Sequence, residues 1–180
     1  MNVLAISSGL KKIRSNTKGN TLVELIIYLA IISVFFTSMI GFTVSVVQSG
    51  QKARTMHEVS QNGRFIMEKI AREIKSANDV NFTTSSFGVN PGVLSLVNNT
   101  GSLDPTVFDV VGGVVRIQQG AGAPMNISSD LVNVTSLVFT DLSVPGRTTN
   151  IKIDLTLEWR DKSGVLINTS TSMQTSVVVR

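Results

Sequence analysis

The most constraining feature of the sequence is an uncharged apolar stretch near its N-terminus, which runs from Leu25 to Val47 and contains 23 residues. As an α-helix it would extend roughly 35 Å, enough to cross a hydrocarbon core of about 30 Å. It is also longer than the apolar region of a cleaved secretory signal, which is about 7–15 residues. We therefore predict a membrane-spanning helical segment over residues 25–47.

A basic leader precedes this stretch. Residues 1–19 contain four basic side chains and no acidic one, whereas the remaining 12 of the 16 Lys and Arg residues are balanced by all 12 Asp and Glu residues. The net charge of +4 and the pI near 9.7 therefore arise from the leader. Basic flanks of a membrane span stay on the cytoplasmic side. We therefore expect a single-pass protein of the cytoplasmic membrane, with its leader in the cytoplasm and its C-terminal domain outside the membrane.

One carboxylate, Glu24, lies directly before the apolar stretch. An ionisable group at the membrane boundary is costly unless it is paired or reaches the interface. A carboxylate in the first turn of a helix also interacts favourably with the positive end of the helix dipole. From its position alone, Glu24 is compatible with either a specific pairing role or a simple helix-terminal one.

The residues around Glu24 favour the specific role. The segment KGNTLVE at residues 18–24, followed by a long apolar helix, resembles the N-terminal signal of type IV prepilins and pseudopilins. The resemblance implies cleavage by prepilin peptidase between Gly19 and Asn20, with possible N-methylation of Asn20. It also makes Glu24 the fifth residue of the mature chain, which in this family pairs with the N-terminal amine of a neighbouring subunit during filament assembly.

The sequence departs from the family pattern at the first mature position. That residue is commonly Phe or Met in the family, and here it is Asn20. Minor pilins vary more at this position than major ones do, so the departure favours a minor subunit. The residues from Ala53 to Ile74 also resemble those of minor pilins and minor pseudopilins. The expected subunit is therefore a minor pilin or pseudopilin.

Helical character continues beyond the apolar stretch. Residues 48–77 contain no proline, and apolar residues recur at spacings of three, four and seven, which predicts one buried stripe. We predict a single long helix over residues 20–79, with Gly41, Gly50 and Gly63 as soft points. The stripe is too short for a sustained coiled coil, so we expect it to pack on its own domain. Its predicted members are Met56, Val59, Ile66, Ile70, Ile74 and Ala77.

The remaining residues, 80–180, predict a β-rich globular domain. Residues 151–160 alternate strictly between apolar and polar side chains, and Ile153, Leu155, Leu157 and Trp159 are core candidates. The other predicted strands are Val93–Val97, Val107–Val111, Val114–Gln118, Leu131–Thr140 and part of Val165–Val179. The expected fold is α+β: a long N-terminal helix, membrane-spanning in its first half and amphipathic in its second, packed on a C-terminal antiparallel β-sheet of about four to seven strands, as in pilins.

Composition restricts the possible chemistry. The chain has no cysteine and a single histidine, which excludes a disulfide framework, a Cys-ligated zinc site and a thiol nucleophile. No phosphate-binding loop or paired carboxylates are present, so we predict neither an enzyme nor a cofactor or metal site. DNA binding, conceivable for a competence pilin, would depend on Arg116, Arg147, Arg160 or Arg180, and the balanced charge of residues 20–180 gives it no electrostatic support.

These features predict a structural subunit of a type IV pilus, a type II secretion pseudopilus or a competence filament. Its expected partners are other pilin or pseudopilin subunits, prepilin peptidase, the inner-membrane assembly platform and the lipid bilayer. The alternative is an uncleaved, signal-anchored envelope protein whose β-rich domain binds a ligand. The N-terminus of the mature chain, Asn20 or Met1, distinguishes the two.

Overall fold

The computed structural model describes residues 21–144, 148–160 and 169–179. Within these ranges one α-helix, α1, spans Thr21–Ser76. The described residues then form eight strands in chain order: β1 Asp79–Val80, β2 Leu94–Val97, β3 Thr106–Val111, β4 Val114–Gln119, β5 Met125–Asn126, β6 Val132–Asp141, β7 Asn150–Trp159 and β8 Ser170–Val178. The chain divides into two compact units, Met1–Val47 and Gln48–Arg180, and the boundary between them falls within α1.

In the second unit, one face of α1 is buried and forms part of the core. The buried positions are Thr55, Val59, Gly63, Ile66, Met67, Ile70 and Ile74. The predicted stripe is therefore confirmed for Val59, Ile66, Ile70 and Ile74, and Ala77 is buried just beyond the helix. Met56 was placed wrongly, because its side chain is 48% exposed while the neighbouring Thr55 is buried. Periodicity gives the direction of a stripe but not which residue is covered at its end.

Gly63 is a close-packing position rather than a soft point. The helix is uninterrupted through Gly63, and a Cβ placed there would lie 2.8 Å from Leu157 Cδ1 and 2.9 Å from Met173 Sδ. Gly41 and Gly50 have no such neighbours within 4 Å. The missing side chain at Gly63 therefore lets the helix approach β7 and β8.

The first sheet has the strand order β1-β2-β3-β4-β5, and all its pairs are antiparallel. The β3–β4 hairpin is its longest pair, from Thr106↔Gln119 to Val111↔Val114. The turn is formed by Gly112 and Gly113, both with positive φ, as the two-residue loop of a tight hairpin requires. Both outer strands of this sheet, β1 and β5, are only two residues long.

The second sheet has the order β6-β7-β8, again antiparallel. The register of β6 with β7 shifts between Val134 and Ser136, whereas β7 and β8 pair without a shift from Asn150↔Val178 to Glu158↔Ser170. Along β7, Ile153, Leu155 and Leu157 are completely buried, and Trp159 is half-buried against the core. Strict alternation in residues 151–160 thus identified the central strand of this sheet.

The two sheets and the buried face of α1 share one hydrophobic core. Phe108 of the first sheet and Phe139 of the second are its largest fully buried side chains. The amide of Val134 donates to the carbonyl of Gly113 at 2.9 Å, which connects β6 to the β3–β4 turn. Gly113 has a φ of +75°, and a Cβ there would overlap the side-chain oxygen of Asn133, so both backbone and space favour glycine at this position.

The α+β architecture is confirmed, as are the five strand predictions before residue 160. The division of the strands between two sheets was not predicted, and neither were the two-residue strands β1 and β5. Such short strands carry no alternation of their own and exist through their pairing partners. Of the predicted segment Val165–Val179, residues 165–168 lie outside the described part, and β8 forms from Ser170 onward.

Candidate functional site

The candidate site is the N-terminal end of α1. The helix begins at Thr21, and Glu24 lies in its first turn. A carboxylate there is favoured by the unpaired amides and the positive end of the helix dipole. Gly19 and Asn20, the two residues predicted to flank a cleavage site, lie outside the described residues, as does the basic leader 1–19.

Glu24 has a partner on its own helix. The Tyr28 hydroxyl donates a hydrogen bond to Glu24 Oε1 at 2.8 Å, four residues further along α1. Residues i and i+4 are neighbours on a helix surface, so the spacing of Glu24 and Tyr28 in the sequence is the signal that could have predicted this contact. The contact engages Oε1 of the Glu24 carboxylate.

The helix around and beyond this pair exposes an apolar surface. Every residue from Thr21 to Gln51 is exposed in the isolated chain. The most apolar 18-residue window of α1 has a mean hydropathy of 2.4 and none of it is buried. By length and composition, α1 is able to cross a membrane.

Three hydroxyl groups within this apolar surface are satisfied by the helix itself. Ser33 donates to the carbonyl of Leu29 at 2.6 Å, Thr37 to that of Ser33 at 2.8 Å and Thr43 to that of Met39 at 2.9 Å. A polar group without a partner is costly in hydrocarbon. The backbone contacts remove that cost, so the segment can enter lipid with these hydroxyls in place.

The arginines proposed for DNA contact are engaged within the β-rich domain, as far as the structure describes them. Arg116 donates from both Nε and Nη2 to the carboxylate of Asp109, its partner across the β3–β4 hairpin, and this hydrogen bonding raises the pKa of the Arg116 guanidinium above its usual range. Arg160 donates to the Gly112 carbonyl at 3.0 Å and to Asn133 Oδ1 at 3.2 Å. Arg147 and Arg180 lie outside the described residues.

The same part of the chain contains no group of three or more His, Asp or Glu side chains arranged to hold a metal ion. His57 Nε2 lies 2.7 Å from Gln61 Nε2 on the exposed surface of α1.

Comparison with known proteins bears on this same region. Residues 14–40 match the family described as the prokaryotic N-terminal methylation motif. No curated protein and no solved structure matches the chain significantly. The match covers the predicted cleavage position, Glu24, Tyr28 and the first part of the apolar helix. Residues 14–40 thus carry a motif similar to the prokaryotic N-terminal methylation motif, and the helix that continues from it is long and apolar enough to cross a membrane.

Proposed function

We propose that the protein is a minor pilin or minor pseudopilin of a type IV pilus, a type II secretion pseudopilus or a competence filament. The observation that carries the proposal is the methylation motif over residues 14–40, which continues into an apolar helix exposed on every side. Such a helix needs lipid before assembly and other helices after it. Neighbouring subunits, prepilin peptidase and the inner-membrane platform are the partners that this function requires.

In this proposal the leader 1–19 is cytoplasmic and is removed between Gly19 and Asn20. Cleavage creates an α-amino group at Asn20 that the precursor lacks. Glu24 then pairs with the α-amino group of a neighbouring subunit through Oε2, while Tyr28 occupies Oε1. A buried carboxylate is costly alone and tolerable when it is paired, so the pairing favours the assembled state and sets the register between subunits.

The first experiment determines the N-terminus of the mature chain. In cells with active prepilin peptidase, mass spectrometry should find a chain that begins at Asn20, with or without a methyl group. Gly19→Val should accumulate the intact precursor, because the small residue before the cut is lost. A wild-type chain that keeps Met1 would refute processing and favour the uncleaved envelope protein.

The second experiment tests Glu24. Glu24→Ala should leave cleavage at Gly19 largely intact and reduce incorporation into filaments by at least about tenfold, because a buried amine then has no carboxylate partner. Glu58→Ala is the matched control, since Glu58 lies on the same helix and is exposed outside the apolar segment. Normal incorporation of the Glu24→Ala chain would show that this carboxylate has no role in assembly.

A further inference from the structure

The edges of the two sheets differ in how they are protected. An unpaired sheet edge offers a row of backbone N–H and C=O groups to any other strand, and proteins usually shorten, charge or cover such edges. In the first sheet the outer strands β1 and β5 are each two residues long. They offer little backbone to a partner.

The edge at β6 is covered. Within the described residues, the segment 88–92 bonds along it: the amides of Gly88 and Gly92 donate to the carbonyls of Phe139 and Leu137, each at 2.8 Å. The Asn90 side chain adds two more bonds, accepting from the Leu137 amide and donating to the Thr135 carbonyl, both at 3.1 Å. Together with the bond from Val134 to Gly113, these contacts leave β6 unavailable as a template.

Among the described residues, no segment bonds along the β8 edge in this way. Nine residues long, β8 contains no charged residue and no proline, and it pairs with β7 without a bulge. The register of β8 with β7 shows which backbone N–H and C=O groups of β8 are not bonded to β7. Trp159 donates to the Thr169 carbonyl and Val179 to the Thr149 carbonyl, so the odd-numbered residues bond to β7. The even-numbered residues therefore direct their N–H and C=O groups outward: Ser170, Ser172, Gln174, Ser176 and Val178.

We propose that the β8 edge binds an uncharged, extended segment of a different subunit in the same filament, which adds a fourth strand to the β6-β7-β8 sheet. Only an extended backbone can pair with alternating N–H and C=O groups over nine residues, and pairing of this kind is an established mode of peptide recognition. The absence of charge along β8 favours a segment that is uncharged as well. The inference rests on the proposed filament function.

A second copy of this chain does not fit the edge. Pairing of β8 with β8 requires a two-fold axis and closes a dimer, whereas filament subunits are related by head-to-tail contacts. A head-to-tail contact would instead have to join β8 to another edge of the next copy. The β6 edge is covered, and β1 and β5 are two residues long. Among the described strands, no second edge of this chain matches β8, so we expect the partner strand to come from a different polypeptide.

A proline at an outward-facing position of β8 tests pairing at this edge without removing a hydrogen bond within the fold. Gln174→Pro removes an outward N–H but no hydrogen bond to β7, and proline is tolerated on edge strands in this orientation. The full-length variant should unfold at the same denaturant concentration as the control Gln174→Ala, which keeps the N–H. Thr175→Pro, which removes a bond to β7, should unfold earlier. Co-incorporation of the partner subunit should fall about tenfold for Gln174→Pro alone.

A cross-link identifies the occupant. Because the chain has no cysteine, Ser172→Cys carries a unique thiol for a short photoactivatable cross-linker. In assembled filaments, cross-linked peptides should join Ser172→Cys to an extended segment of a different subunit. Cross-linking only to a second copy would overturn the proposal. Unchanged co-incorporation of Gln174→Pro would also overturn it.

Hydrogen exchange tests whether the edge is free before assembly. In the full-length chain in detergent, the amides of Ser172, Gln174 and Ser176 should exchange quickly, and the amides of Met173 and Thr175 slowly. In filaments all five should be slow. Equal protection of the outward amides in the isolated chain would show that the edge is already covered and would overturn the proposal. Failure of cleavage at Gly19 would instead count against the proposed function itself.

Discussion

The two halves of α1 differ in whether their apolar side chains are exposed or buried. From Thr21 to Val47, the large apolar residues are exposed over about half or more of their surface in the isolated chain. In the second unit, Val59, Ile66, Ile70 and Ile74 are completely buried. A helix that is apolar all round needs an external partner, whereas one with a single apolar stripe is satisfied by its own domain.

The comparison separates folding from assembly. The Gln48–Arg180 unit has a core of its own, so its stability should depend on residues inside that core. The Met1–Val47 unit supplies a surface, and its residues should affect membrane anchoring and contacts between subunits. Substitutions of the same kind in the two regions test this division.

Phenylalanine truncation should give the largest contrast. Phe139 of β6 is completely buried in the core that the two sheets share with α1. Phe139→Ala should therefore lower the free energy of unfolding by about 3–5 kcal/mol, through lost burial and the cavity that remains. Phe36 is 57% exposed, and Phe36→Ala should leave that free energy unchanged. Denaturant unfolding of the full-length chain in detergent, followed by the fluorescence of the half-buried Trp159, measures both. Similar losses of unfolding free energy in the two variants would contradict the expectation that the Gln48–Arg180 unit is stable independently of the apolar half of α1.

Glycine substitution should give effects of opposite sign. In Gly63→Ala the added methyl group would meet Leu157 and Met173 at less than 3 Å, so overpacking should cost about 1–3 kcal/mol. Gly50 is exposed with nothing within 4 Å of the new methyl group, and Gly50→Ala should stabilise the helix by about 0.5–1 kcal/mol. The same unfolding measurement applies. A stabilised Gly63→Ala chain would show that the contact with β7 and β8 is looser than the structure indicates.

The smallest effect is expected at Tyr28. Tyr28→Phe removes the hydrogen bond to Glu24 but keeps the ring, so incorporation into filaments should fall by about threefold to tenfold, less than for Glu24→Ala. The unfolding free energy of the Gln48–Arg180 unit should not change. Incorporation can be quantified by immunoblotting of sheared filaments.

Two controls sharpen the Tyr28 experiment. Thr37→Val removes a hydroxyl that bonds only to the Ser33 carbonyl on the same helix, and it should have no comparable effect. In a Glu24→Ala background, Tyr28→Phe should cause no further loss, because its acceptor is already absent. A full additional loss in that background would mean that Tyr28 acts through packing rather than through Glu24.

Much of the fold was predictable because its signals are local. Helix α1 follows from a proline-free segment with an apolar half and a striped half, and its observed bounds, Thr21–Ser76, lie close to the predicted 20–79. Strand β7 follows from ten strictly alternating residues. The failures, Met56 and the two-residue strands β1 and β5, occur where a residue's environment is decided by an element distant in sequence.

The candidate site divides in the same way. Glu24 and the apolar helix were proposed from sequence, and Glu24 and the first part of the helix lie within the matched residues 14–40. The contact between Tyr28 and Glu24 was not predicted, although the two residues are only four positions apart on one helix. The β8 edge could not have been recognised, because whether a strand edge is open depends on strand order and on which distant segments bond along it.

By itself, the sequence determined the membrane-competent helix, the position of the single carboxylate before it and the β-rich character of residues 80–180, because these depend on composition and on spacing along one segment. Tertiary structure alone decided that the strands form two sheets, that Gly63 is a contact point and that β8 is the open edge among the described strands. Sheet pairing joins residues distant in sequence through backbone groups that every residue carries, so side-chain pattern cannot specify the partner.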